Sequence, residues 1–277
     1  MNTSIIKVVG IGSEGCQAVE CIMKNKSENV SFALCNAEEQ VGVQNLLSDE
    51  PRILFIVAAF GREEETNLLS EIAKMAGGLE VLTVGVVTIP FKSEKESSRS
   101  VAVSDIKAVM PHVDNLIIID KEKLKQGQEL TVDKVSDFAD EALMKTIEGL
   151  MNIFDSKNDY LGFDVDDAIY TLRGGKIAVV GTGEGVGESK TELALANADK
   201  SIPMDGISLH QCSRIMLSSS CSEGEAENMF EEVSSLKISM PDEISVMWRL
   251  NVDESLGKCV KIIALATTND WNVNTMV

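Results

Sequence analysis

Short apolar runs separated by helix-like stretches dominate the first half of the chain. The strand candidates are residues 5–11, 30–35, 53–59, 81–89 and 115–120. Runs such as ILFIVAA and VLTVGVV show no polar–apolar alternation, which is typical of parallel strands buried on both faces. The helix candidates between the strands are residues 15–23, 38–47, 64–76 and 97–110. This repeated order predicts an α/β fold with a doubly wound parallel sheet.

The second half of the chain has a different pattern, with one long helix followed by further strands and helices. Residues 132–154 carry apolar residues at intervals of three and four, which predicts one long helix, and residues 155–163 are predicted to form a loop. Later strand candidates are residues 176–180, 212–218, 244–251 and 260–267, with helices near 190–198 and 225–236. The last two strands, separated by VDESLG, are predicted to form an antiparallel hairpin.

These patterns divide the chain into three parts. Residues 1–130 are expected to form a nucleotide-binding-type domain with the doubly wound sheet. Residues 131–160 are expected to form the central helix and its connector, and residues 161–277 a smaller α+β domain.

Composition excludes several classes of partner. The net charge of −19 argues against direct binding to nucleic acid or to an anionic membrane. No apolar stretch approaches the length of a membrane span, and the first residues lack the features of a signal peptide, so we expect a cytoplasmic protein. The six cysteines form no CxxC pair and there are only two histidines, so no metal site is predicted.

The stretch IKVVGIGSEGCQAV runs from a strand through three glycines into a helix. Gly10, Gly12 and Gly15 have the G-x-G-x-x-G spacing of a dinucleotide-binding turn. The free amides and the dipole at such a helix start favour an anion, and glycine lets a phosphate approach closely. The motif by itself is equally compatible with a tight turn in any α/β protein.

Several segments, in order, resemble the FtsZ/tubulin superfamily of filament-forming GTPases, and bacterial FtsZ in particular. IKVVGIGSEGCQAV resembles the first phosphate loop, and FALCNAEEQ resembles the second loop, with Asn36 at its asparagine. VLTVGVVTIPF, HVDNLIIID and the long helix then follow as they do in that family. The resemblance covers nearly the whole chain. It implies a GTP site that is completed by an acidic loop from the next subunit of a filament.

The phosphate loops depart from the family pattern. Where the family has the signature GGGTGTG, this chain has FIVAAFGREEETNLLSEIA, which is shorter by about three residues and keeps only Gly61 and Thr66 in recognisable form. Glu63, Glu64 and Glu65 stand where glycines should wrap the phosphates. Carboxylates repel a triphosphate, and β-carbons prevent the close approach that glycine allows. The simpler explanation of the three glutamates is that they are first-turn acids, which complement the free amides of a helix.

The resemblance implies further contacts with the nucleotide. In the first loop, Ser13 and Glu14 replace the family's middle glycines and Gln17 replaces its asparagine. Glu94 and Arg99 correspond to family contacts, although Arg99 comes one residue late. In the long helix, Glu141 could take the guanine N–H groups, whereas Asp137 stands at the position of a stacking aromatic residue. We therefore expect GTP or GDP binding to be weakened or lost, with Mg²⁺ present only if nucleotide binds.

The acidic loop is kept better than the phosphate loops. GFDVDDAIYTL resembles the family's NxDFxDV loop, with Asp164 and Asp167 as its two acids. Their family role is catalytic, polarising the attacking water and holding a cation. The alternative is that Asp164 caps a helix, with Asp166 and Asp167 in its first turn.

Three functional interpretations follow. The leading one is an FtsZ/tubulin-like cytoskeletal protein that acts by filament assembly or modulation with weakened or lost GTP binding. Its partner would be itself or an intact FtsZ-type subunit, head to tail. The second is a working GTPase with an altered phosphate loop. The third is a dinucleotide-dependent oxidoreductase, which is disfavoured because Asn36 rather than an acid follows the second strand.

Overall fold

The computed structural model describes residues 5–24, 30–35, 46–91, 96–124, 132–154, 159–161, 164–239 and 241–273. The chain divides into two compact units, residues 1–147 with 272–277 and residues 148–271. The boundary falls within one long helix, α5 (Val132–Phe154), which coincides with the helix predicted from the apolar spacing.

The first unit contains a five-stranded parallel sheet in the order β2-β1-β3-β4-β5. Its strands are β1 (Ile6–Ile11), β2 (Val30–Cys35), β3 (Ile53–Ala59), β4 (Leu82–Ile89) and β5 (Asn115–Asp120). Every residue of β1, β3, β4 and β5 is buried, as expected for strands covered on both faces. The predicted doubly wound α/β fold is confirmed.

Helices follow the strands of this sheet. They are α1 (Gly12–Ile22), α2 (Glu63–Gly77), α3 (Glu96–Val109) and the short α4 (Lys121–Leu124). In α2 the buried positions include Leu69, Ile72 and Ala76, which recur at helical spacing and form the face that packs inward. Most of the helix predicted over residues 38–47 lies outside the described residues.

The second unit contains the strand order β7-β10-β8-β9-β6. Its strands are β6 (Asp159–Leu161), β7 (Ile177–Gly185), β8 (Arg214–Cys221), β9 (Ser245–Val252) and β10 (Val260–Thr268), and its helices are α6 (Val165–Leu172), α7 (Lys190–Lys200) and α8 (Ala226–Ser239). The pairing of β10 is antiparallel to both β7 and β8, whereas β8 and β9 are parallel. This mixed sheet with its helices is the predicted α+β arrangement.

Two local predictions for this unit are wrong. The last two strands, β9 and β10, do not form a hairpin, because β8 pairs with both of them and lies between them. Their connection includes a short 3-10 helix, Glu254–Leu256, instead of a tight two-strand turn. The predicted loop over residues 155–163 contains the short strand β6, which pairs with β9.

Helix α7 lies directly on the backbone of β7. β-Carbons built on Gly181, Gly183 and Gly185 would lie 2.2, 2.0 and 1.9 Å from carbonyl oxygens of α7. These oxygens belong to Ala198, Ala194 and Lys190, which are four residues apart and so share one helix face. The alternating glycines of β7 therefore allow strand and helix to touch without side chains between them.

Candidate functional site

The candidate site lies at the carboxyl edge of the first unit's sheet. Strand β1 has β2 on one side and β3 on the other, so the chain winds in opposite directions from this point. In open α/β sheets such a switch point forms a crevice at the carboxyl ends of the strands, and ligands bind there. The two segments that resemble phosphate loops, at Gly10–Gly15 and at Gly61, lie at the ends of β1 and β3. They meet at this edge, where Gly12 lies against Glu65.

Two of the three glycines of the motif, Gly10 and Gly15, are required by packing within the protein. A β-carbon on Gly10 would lie 2.6 Å from the carbonyl oxygen of Gly15. A β-carbon on Gly15 would lie 2.2 Å from the carbonyl oxygen of Val57 in β3. Both glycines therefore let α1 pack closely against the strands, and their presence does not require a phosphate.

Gly12, the second glycine of the motif, lies against the side chain of Glu65. Gly12 has a φ of +69°, and a β-carbon built on it would lie 2.3 Å from Cδ and Oε1 of Glu65 and 2.8 Å from Oε2. Only 4% of Glu65 is exposed. The Glu65 carboxylate thus occupies the space beside the first residue of α1, which is where the resemblance places a phosphate.

The surroundings of Glu65 only partly compensate its charge. The backbone amide of Ala59 hydrogen-bonds to the carboxylate, and the guanidinium of Arg62 lies 3.7 Å from Oε1 but is largely exposed. The second oxygen, Oε2, is buried and accepts no hydrogen bond from any residue that the structure describes. Burial raises the pKa of Glu65, and the charges of Glu14 and Glu64 raise it further.

Glu14, from the first loop, is held by two side chains of the same sheet edge. Lys121 Nζ donates to both Glu14 oxygens at 2.9 Å, and the Thr88 hydroxyl donates to Oε2 at 3.1 Å. Thr88 is near the end of β4 and Lys121 directly follows β5. We call these three residues the Glu14 clasp. Within this clasp, Glu14 neutralises the buried amine of Lys121.

The two residues that match the second phosphate signature are engaged with a third carboxylate. The Gly61 N–H donates to Asp105 Oδ2 of α3 at 2.9 Å, and the Thr66 hydroxyl also hydrogen-bonds to Asp105. Burial raises the pKa of Asp105, although these two donors act in the opposite direction. The amide and the hydroxyl that could have faced an anion are therefore satisfied within the protein.

The remaining predicted nucleotide contacts are dispersed. Arg99 is buried and forms a bidentate ion pair with Asp120, at 3.0 and 2.5 Å, while also donating to the Pro90 carbonyl. Gln17 is exposed on α1, and Glu141 is exposed on α5 in an ion pair with Lys145. Asn36 and Glu94 lie outside the described residues.

The two predicted catalytic aspartates form the start of α6. Asp164 is the N-cap and accepts from the backbone N–H groups of Asp166 and Asp167, at 2.8 and 3.1 Å. Asp167 Oδ2 accepts in return from the backbone N–H of Asp164 at 2.9 Å, which completes a capping box. Both carboxylates are hydrogen-bonded within this turn. Because Asp164 is exposed and Asp167 is half-buried, their charges still face solvent.

Sequence reasoning missed Lys121 and Asp105 and did not distinguish Glu65 from its neighbours. Glu65 is in helical phase with the buried residues Leu69, Ile72 and Ala76, whereas Glu63 and Glu64 are exposed. The sequence already contains this helical phase. It predicts that, of the three glutamates, only Glu65 points inward, towards the site. Lys121 was marked by its place immediately after a buried strand, at the edge where ligands bind.

The described residues offer neither a metal cluster nor a membrane-spanning helix. They contain no group of three His, Cys, Asp or Glu side chains arranged to hold a metal ion. Among the helices that the structure describes, none combines the length and apolar character needed to cross a membrane.

Comparison with known proteins identifies the fold. The chain superposes on an empty FtsZ dimer from M. jannaschii with a TM-score of 0.80 and 20% identity, covering 96% of this chain and 88% of that one. It matches GDP-form protofilaments of TubZ from Bacillus thuringiensis serovar israelensis with a TM-score of 0.69 and 10% identity, covering 99% and 88%. The two units therefore have the FtsZ/tubulin fold.

Sequence comparison agrees with the fold. The chain is 26% identical to the cell division protein FtsZ of Porphyromonas gingivalis, over 96% of this chain and 67% of that protein. No family model matches the chain. In both sequence and fold the chain is similar to the FtsZ/tubulin superfamily.

Proposed function

We propose that this protein is an FtsZ/tubulin-like cytoskeletal protein that acts by filament assembly or filament modulation, with GTP binding weakened or lost. The first part is supported by superfamily relatives that form a dimer and protofilaments. The second part rests on one observation: the Glu65 carboxylate lies against Gly12 at the switch point of the sheet. A phosphate at that point would overlap the carboxylate and be repelled by it.

The neighbouring groups do not fit a triphosphate either. Lys121, a buried cation at this edge, is already neutralised by Glu14, and the Gly61 amide is engaged by Asp105. A bound triphosphate would have to displace these carboxylates or accept their repulsion. We therefore derive no hydrolytic step for this chain by itself, because phosphoryl transfer depends on positioning and charge stabilisation of the phosphates.

Calorimetry with GTP and Mg²⁺ tests the weakened site. We expect binding to be at least about 100-fold weaker than to an intact FtsZ measured in parallel, a loss of about 2.7 kcal/mol. We also expect no GTPase activity above background for the chain alone. A micromolar or tighter dissociation constant would contradict the proposal and would favour the alternative of a working GTPase with an altered phosphate loop.

The acidic loop supports a partner for the opposite face. Asp164 and Asp167 present two negative charges at the start of α6, as the resemblance requires for contact with a neighbour's nucleotide. A subunit of this kind offers an acidic loop but no nucleotide of its own. Head-to-tail filaments grow only when both faces are competent. The proposed partner is thus an intact FtsZ-type subunit, whose filaments this protein would cap or modulate from one end.

Titration into a polymerising FtsZ from the same organism tests this partner, with light scattering and phosphate release as readouts. The wild type should change both. The double variant D164S/D167N keeps oxygen acceptors for the capping box but removes both charges, so it should lose the effect on phosphate release while retaining its thermal midpoint. The control D166N changes a charge in the same turn outside the box.

Two results would count against the one-sided mechanism. One is that wild type and variant alike leave the intact filament unchanged at equal concentration. The other is that this chain forms long filaments by itself without nucleotide, which would make self-assembly its function.

A further inference from the structure

We infer that the Glu65 carboxylate is a built-in anion, which fills the phosphate position beside Gly12 and thereby closes a latent anion site that the rest of the fold still forms. The inference rests on the proposed loss of nucleotide binding and explains it by occupancy of the space.

Two helix starts converge on this position. Glu65 is the third residue of α2 and its carboxylate lies beside Gly12, the first residue of α1. Neither helix is capped by the side chain of its N-cap residue, Ile11 in α1 and Arg62 in α2. The amides and dipoles at both starts therefore favour a negative charge at the point that the Glu65 carboxylate occupies.

The position is built for an anion and incompletely satisfied by the one it has. The Ala59 amide hydrogen-bonds to the carboxylate, but Oε2 is buried and accepts no hydrogen bond from the described residues. Gly12 keeps the backbone conformation and the lack of a β-carbon that leave room for the group. A tetrahedral phosphate oxygen in the same place would meet the same donors.

The Glu14 clasp holds the rest of the cradle in place. Lys121 and Thr88 tie the first turn of α1 to the ends of β5 and β4. Truncating Glu65 therefore leaves both helix starts, the Ala59 amide and the Glu14 clasp in position. The expected result is a cavity that accepts a small phosphate compound.

The test uses inorganic pyrophosphate with the full chain and measures dissociation constants at constant ionic strength. The variant E65A should bind pyrophosphate at least about tenfold more tightly than the wild type does, a gain of about 1.4 kcal/mol. The control E64A changes the net charge equally at an exposed position on the same helix, and its affinity should stay at the wild-type value. The isosteric variant E65Q keeps the space filled, so it should also gain no affinity.

Three outcomes would overturn the inference. One is pyrophosphate binding by E65Q as tight as by E65A, since charge repulsion alone would then explain the exclusion. Another is equal binding by E64A and E65A. The third is sub-millimolar pyrophosphate binding by the wild type. This measurement does not depend on the folding of any variant. Failure of the filament titration alone would instead count against the proposed function and leave this inference standing.

Discussion

At the scale of single residues, the site is defined by which carboxylates are turned inward. Glu65 is 4% exposed although Glu63 and Glu64, its neighbours in an identical run, face solvent. Burying a charge without full compensation is costly, and the Ala59 amide and the exposed Arg62 compensate only in part. A protein that keeps such a residue carries a destabilising group at its most ligand-like position.

This cost predicts a specific pH dependence. Burial raises the pKa of Glu65 above the 4.5 of an unperturbed glutamate, despite opposing contributions from Arg62 and the Ala59 amide. The folded state then holds the proton more tightly than the unfolded chain does. The contribution of Glu65 to the free energy of unfolding is therefore most favourable below its ordinary pKa, where the carboxyl group is protonated. This contribution is lost as pH rises through the raised pKa.

The variant E65Q removes this titration. Its free energy of unfolding relative to the wild type should increase as pH is raised from about 4 to about 8. Urea denaturation at several pH values measures the difference, with E64Q as the control at an exposed position. A wild type and E65Q that keep a constant difference across this range would show that the carboxylate titrates normally.

At the scale of elements, the contact of β7 with α7 leaves no room for a β-carbon on the glycines of the strand. The variant G183A would place a methyl group 2.0 Å from the Ala194 carbonyl oxygen, so α7 must move away from the strand. We expect a loss of about 1–3 kcal/mol from overpacking, measured by chemical denaturation. The control G77A introduces the same methyl group at the end of α2, where no atom lies within 4 Å. An equal effect of both substitutions would contradict the close contact.

The capping box of α6 gives a second prediction at this scale. Asp164 accepts from two backbone amides, and D164A leaves both without that acceptor. We expect a loss of about 1 kcal/mol in the free energy of unfolding, whereas D164S should retain most of it because a hydroxyl can cap as well. If D164S is as unstable as D164A, the negative charge rather than the cap stabilises this turn.

The elements themselves were largely predictable from the sequence, and the contacts between them were not. Buried parallel strands and amphipathic helices leave local periodic signals, which is why β3 and α5 coincide with their predictions. Strand order leaves no such signal, so the hairpin of β9 and β10 was predicted although β8 separates them. The Glu14 clasp joins residues 74 and 107 positions apart, and nothing local indicates that pairing.

At the scale of the whole molecule, charge governs how copies meet. The chain carries 44 acidic and 25 basic residues, for a net charge of −19. Copies should repel one another at about 0.01 M salt, where the Debye length is about 30 Å, and much less at about 0.15 M, where it is about 8 Å. We expect the second virial coefficient from light scattering to be strongly positive at low salt and to fall as salt rises. A coefficient that increases with salt would mean that opposite charges hold the copies together.

A carboxylate carried by the chain stands at the switch point at a fixed effective concentration, unlike a ligand that arrives from solution. The state of a subunit that binds nucleotide depends on the supply of that nucleotide and changes when the nucleotide is hydrolysed. If Glu65 beside Gly12 excludes nucleotide as we propose, every copy would be in the same state from the moment it folds. The influence of the protein on a filament would then follow its concentration and not a nucleotide state.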